Sequence, residues 1–109
     1  MNSTKPGRGA AAIDALRLRI EKTDDLLLAL LQRRMRLARA IGGAKLGAGL
    51  PVLDPAREAR VVRRVAARAR ELGMPAEEVR SLFWNIIALC RCELLFARRT
   101  VVPATRASR

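Results

Sequence analysis

A chain of 109 residues is long enough for one domain, and half of its residues are hydrophobic although only 3% are aromatic. It contains no His, which excludes histidine-based catalysis and histidine metal sites, and its two cysteines, Cys90 and Cys92, make no zinc pattern. The formal charge of +12 is carried mostly by arginine and reads first as a solvated basic surface.

Residues 1–9 read as a disordered leader. A first helix is expected from about Ala10 to about Leu46, because no Pro or Gly interrupts the chain before Gly42-Gly43. Its seam alternates spacings of three and four: Ile13, Leu16, Ile20, Thr23, Leu27, Leu30, Arg34, Leu37 and Ile41. Such a helix would be roughly 50 Å long, more than the diameter of a compact domain of this size. It is therefore expected to project into a partner subunit. Gly47 and Gly49 mark its end, and Leu50-Pro51-Val52-Leu53 is a short extended link. A second helix opens at Asp54-Pro55, with Asp as N-cap and Pro in the first turn, and runs to about Leu72. Its expected inner face is Val61, Val62, Val65 and Ala69. Gly73-Met74-Pro75 turns the chain into a third helix over about Ala76 to Ala97, with Val79, Leu82, Phe83, Ile86, Ile87, Cys90 and Leu94 as its apolar stripe. Residues 98–109 read as a basic tail. The fold class is thus all-α, with one helical domain over residues 10–97.

The leader has no signal-peptide core, no apolar run is long enough to span a membrane, and two cysteines that point to opposite sides of a helix fit a reducing cytoplasm.

Arg34 is the anomaly on the first seam. A buried guanidinium needs an anion, because losing its water costs several kcal/mol. Positions 30, 31, 37 and 38 are Leu30, Leu31, Leu37 and Ala38, so no acid shares its near face. The missing anion is read as a ligand. Lys45 lies eleven residues on, close to three helical turns, with its Cα about 16 Å away on the same face. Two long side chains at that spacing can span a small molecule with separated negative groups. Arg17 is about 25 Å before Arg34 along a straight helix, so it could serve such a site only from a second, antiparallel subunit. Taken alone it reads as a solvated arginine. Arg57 and Glu58 lie in the first turn of the second helix, where backbone N–H groups favour anions. Taken alone, Asp54 reads as a cap and Glu58 as a complement to the helix dipole.

Together these pieces resemble the all-helical chorismate mutases. The resemblance covers roughly residues 10–95 and rests on IDALRLRIEKTDDLLLALLQRRMRLARAIGGAKLGAGLPVLDPAREARVV, followed by a third helix containing LFWNII. The ordered set is an early Arg, D-x-x-L-L-x-L-L-x-x-R, G-x-x-K and P-V-x-D-x-x-R-E. It implies a homodimer of intertwined three-helix subunits with two shared active sites. By this resemblance, Arg17 reaches into the neighbour's site, and Arg17 and Arg34 bind the two carboxylates of a dicarboxylate substrate. Lys45 would bond the ether oxygen and a carboxylate, Arg57 would line the site, and Glu58 would orient the ring hydroxyl with the backbone near Asp54 helping.

The implied reaction is the pericyclic rearrangement of chorismate to prephenate, which needs no cofactor, metal or nucleophile. It serves aromatic amino acid biosynthesis. The required residues hold a compact conformer and stabilise charge growing on the ether oxygen.

Two positions depart from the family's pattern. The family's third-helix Gln or Glu is Leu94 here, which cannot donate a hydrogen bond, and its small hydroxyl residue one turn earlier is Cys90, a weak donor. Glu93 could replace the lost donor only if the third helix were rotated. Three readings follow: a weak chorismate mutase helped by an activating partner enzyme, a mutase acting on 4-amino-4-deoxychorismate for antibiotic precursors, and a binding module. An enzyme ranks above a binder because the five other charged positions are retained. An isochorismate lyase ranks lower, since Glu58 and the second-helix motif match the mutases. No nucleic-acid partner is expected, since there is no recognition-helix motif and little aromatic surface for base stacking.

Overall fold

In the computed structural model, the backbone of residues 6–107 and the side chains of residues 7–95 are described. There are three helices, α1 (Pro6–Gly47), α2 (Pro55–Glu71) and α3 (Ala76–Ala107), and no strand among the described residues. Two ends differ from expectation. Helix α1 begins at Pro6, inside the expected leader; the fixed φ of proline suits a first helical turn. Residues 1–5 lie outside the described residues. Helix α3 continues through the expected basic tail, past Pro103, as far as Ala107.

The chain divides into two units, residues 1–32 and 33–109. In the first, the described residues form a single stretch of helix. Its seam residues Ile13, Leu16, Ile20, Leu27 and Leu30 are all at least half exposed. Thr23, the polar member of the seam, donates from its hydroxyl to the carbonyl of Arg19 at 2.9 Å, which satisfies it within its own helix. Arg17 lies 4.0 Å from Asp14, and both side chains are largely in solvent, so the pair contributes little.

The second unit holds the core, built chiefly where α2 packs on α3. Val62, Ala66 and Ala69, spaced i, i+4 and i+7, are buried on one face of α2, and Ile87 and Cys90 are buried on α3. Val61 and Val65 are half-buried, so the buried stripe lies slightly around the helix from the expected one. Complete burial of Val62 stabilises by roughly 1.5–3 kcal/mol. Leu82, expected on the inner stripe of α3, is 55% exposed.

The remaining part of α1 meets α3 at Gly42. A Cβ at that position would lie 3.1 Å from Leu94 Cδ2 and 3.3 Å from both Leu94 Cα and Leu94 O. Only a missing side chain lets the two backbones come so close. Both α1 and α2 end in the same hydrogen-bonded motif. At α1, Gly49 has φ of 72°, the Leu50 N–H donates to the Lys45 carbonyl at 2.8 Å, and the Gly49 N–H donates to Leu46 at 3.2 Å. At α2, Gly73 has φ of 73°, with Met74 donating to Ala69 and Gly73 to Arg70. These are Schellman ends, which need a residue tolerant of left-handed backbone. No helix among the described residues is long and apolar enough to cross a membrane.

Candidate active site

The link and the start of α2 set the site's geometry. Asp54 caps α2: its carboxylate accepts the Arg57 N–H at 3.0 Å, and its carbonyl accepts the Glu58 N–H at 3.0 Å. Such a cap is worth about 1 kcal/mol. It also fixes where the first turn points Arg57 and Glu58. Across the link, the Lys45 ammonium donates to the Val52 carbonyl at 3.2 Å. That bond uses one of three N–H groups and leaves two to face a ligand. Lys45 also sits in the last turn of α1, where the carbonyl ends favour a cation.

Arg34 is half-buried, as its place on the seam implied. Its Nη1 donates to the Cys90 sulfur at 2.8 Å, and Cys90 itself is 5% exposed. No carboxylate of the described residues lies within 4.0 Å of this guanidinium. A thiol is a weak acceptor and carries no formal charge, so it orients Arg34 without neutralising it.

These groups surround a cavity of about 280 Å³ within the second unit. That is near the small end of ligand pockets, which run from about 300 Å³ upward. Of the positions singled out in the sequence, Arg34, Lys45, Asp54, Arg57, Glu58, Cys90 and Leu94 all line it. Glu93 does not, so it does not take the place that Leu94 leaves without a donor. Arg17 belongs to the first unit and is not among the lining residues.

Sequence reasoning missed Arg91. It also lines the cavity, and it grips Glu58 with a two-pronged contact: Nε donates to Oε2 at 2.9 Å and Nη2 to Oε1 at 2.5 Å. The Glu58 side chain is 13% exposed and that of Arg91 is 42% exposed. The Arg91 hydrogen bonds and charge, helped by Lys45, hold the Glu58 carboxyl below its ordinary range against the opposing effects of burial and Asp54. In return, Glu58 raises the Arg91 pKa. A signal for Arg91 was present. Ile87, Cys90, Arg91 and Leu94 follow the i, i+3, i+4, i+7 pattern of a buried helical face, with one arginine on it. This is the same anomaly that singled out Arg34.

The cavity wall therefore carries four cations, Arg34, Lys45, Arg57 and Arg91, against two carboxylates, Asp54 and Glu58. The formal surplus is two positive charges. Fold and site define an all-helical domain with a small, net-cationic cavity between its helices. The chain belongs to the chorismate mutase type II family, whose match spans residues 16–93. It is 32% identical over 85 residues to a 3-dehydroquinate dehydratase of Pyrobaculum aerophilum, covering 78% of this chain and 25% of that protein. It is also 32% identical over 77 residues to the T-protein of Enterobacter agglomerans, covering 71% of this chain and 21% of that protein. The chain thus spans a quarter or less of the length of these relatives.

Proposed function

We propose that this domain is an isomerase that converts chorismate to prephenate by a pericyclic rearrangement. The observation that carries the reading is the charge of the cavity: a surplus of two positive charges suits a small dicarboxylate. Arg34 is the key cation, since it is oriented by Cys90 and has no protein carboxylate within 4.0 Å among the described residues. Family membership supports the same reaction.

In this reaction the C–O ether bond breaks while a C–C bond forms across the ring, with no proton transfer. The protein must hold the compact conformer and meet negative charge growing on the ether oxygen. Arg34 and Arg57 would bind carboxylate oxygens. Lys45, steadied by Val52, would donate to the ether oxygen, and its attraction grows as the bond lengthens. Glu58 would accept from the ring hydroxyl. Leu94 contributes no donor, so Lys45 would carry the ether oxygen's stabilisation with less help than a family Gln would give.

The dimer belongs to the same proposal. Ile13, Leu16, Ile20, Leu27 and Leu30, half or more exposed in the single chain, form the face that a second copy would cover. Arg17 would then reach the second copy's cavity. The deciding experiment incubates purified protein with chorismate and follows its loss and the appearance of prephenate. Turnover that falls by about 10² to 10³ in Arg34→Ala is the expected result. A folded, dimeric wild-type protein with no turnover above the uncatalysed rate would overturn the proposal.

A further inference from the structure

We propose that Arg91 determines specificity at the ring substituent, selecting a neutral hydroxyl over an ammonium. The inference rests on the proposed reaction and deepens it. A lone Glu58 in this cavity would attract a cation. Here its two oxygens are each taken by one N–H of the same guanidinium, at 2.9 and 2.5 Å. An ammonium brought up to Glu58 would also be brought up to Arg91, and the repulsion offsets the attraction.

Hydrogen-bond chemistry points the same way. A carboxylate has about four acceptor sites, so each Glu58 oxygen keeps one after the fork forms. Arginine has five N–H donors, and the fork uses two. The pair therefore keeps free acceptors on Glu58 beside free donors on Arg91, and both residues line the cavity. A hydroxyl both donates and accepts, and it can satisfy both. An ammonium only donates; it would leave Arg91 unanswered and add a charge. The charge of the cavity points the same way, because a net-cationic wall favours a substrate with two carboxylates and a neutral hydroxyl. The 4-amino analogue brings one net negative charge instead of two. Glu58 remains anionic in the fork, as its lowered pKa requires, so the pair stays intact at neutral pH.

The test compares kcat/KM for chorismate and for 4-amino-4-deoxychorismate in wild type, Arg91→Gln and Glu58→Gln. The wild type should favour the hydroxyl compound. In Arg91→Gln the freed carboxylate should attract the ammonium, and the preference should fall about tenfold. In Glu58→Gln the unneutralised Arg91 should repel it, and the preference should rise about tenfold. Both variants break the same ion pair, so a purely structural role predicts equal losses for both compounds, or shifts in the same direction. Either result overturns the proposal. Arg91→Lys keeps the charge without the fork and should keep most of the preference. It serves if Arg91→Gln does not fold, and a Lys variant that loses the preference would also overturn the idea. If the wild type turns over neither compound, the proposed reaction falls. Calorimetric titration of both compounds into the same variants then reads the same ratio as binding constants, with the same opposite shifts expected and equal or parallel changes overturning the role of Arg91.

Discussion

The guanidinium of Arg34 and the sulfur of Cys90 are joined at 2.8 Å, one from α1 and the other from α3, in the wall of a cationic cavity. The contact aims a permanent charge that has no carboxylate within 4.0 Å among the described residues. The two residues should therefore fail in different ways. Arg34→Ala should lower kcat/KM by about 10² to 10³, as loss of a charge-stabilising donor does, with little change in melting temperature. Cys90→Ala should cost about tenfold or less, since Arg34 remains but loses its support. Steady-state kinetics and thermal melts of both variants check this ordering, and equal losses would place Cys90 in contact with substrate.

Gly42 and Gly43 are neighbours with opposite prospects. A Cβ at Gly42 would press on the backbone of Leu94, whereas one at Gly43 meets nothing within 4 Å. Gly42→Ala should destabilise by about 1–3 kcal/mol, the usual range for overpacking. Gly43→Ala should stabilise by up to about 1 kcal/mol through helix propensity. Denaturant midpoints of the pair measure the contrast.

Leu94 lines the cavity and offers it no hydrogen bond. Leu94→Gln should raise chorismate turnover about tenfold, a conservative share of what one such donor can contribute. An unchanged rate would mean that the position does not face the breaking bond.

Arg17 and Lys45 test the shared site. Arg17→Ala and Lys45→Ala should each be nearly inactive. Mixed and allowed to exchange subunits, they should regain part of the activity, because some dimers then hold one site with both residues intact. Absence of rescue after subunit exchange has been demonstrated would count against a shared site.

Glu58 predicts the acid side of the pH profile. Its folded pKa lies below the ordinary glutamate value, chiefly through hydrogen bonds from Arg91. A carboxyl lowered in this way adds stability that is complete above its unfolded pKa and is lost as pH falls through the folded one. In Arg91→Gln the Glu58 pKa should rise, so the acid limb of activity should move to higher pH. The stability gap between wild type and this variant should narrow as the medium becomes acid. Activity and melting temperature recorded across the acid range report both effects.

The order of elements and most of the cavity were legible in the sequence for physical reasons. Helix ends are written in Asp54-Pro55, Gly49 and Gly73, each of which has a specific backbone task. Arg34 stood out because an arginine on an apolar seam has to be accounted for. Arg91 is hard to single out by sequence in so arginine-rich a chain. Its partner Glu58 is far away in sequence, and only the packing of α2 on α3 brings them together. The reach of α3 to Ala107 is hard to see in the sequence for a different reason. Pro103 suggests a helix end, whereas the arginine and alanine around it are good helix formers.

Lys45 gives the short link between α1 and α2 an unusual burden. The residue's own carbonyl closes the helix end through Leu50, and its ammonium is moored to Val52 a little further along. Surface connections commonly tolerate insertions and deletions. This one works as a measured strut: one residue more or less would displace the mooring point while leaving all three helices able to form.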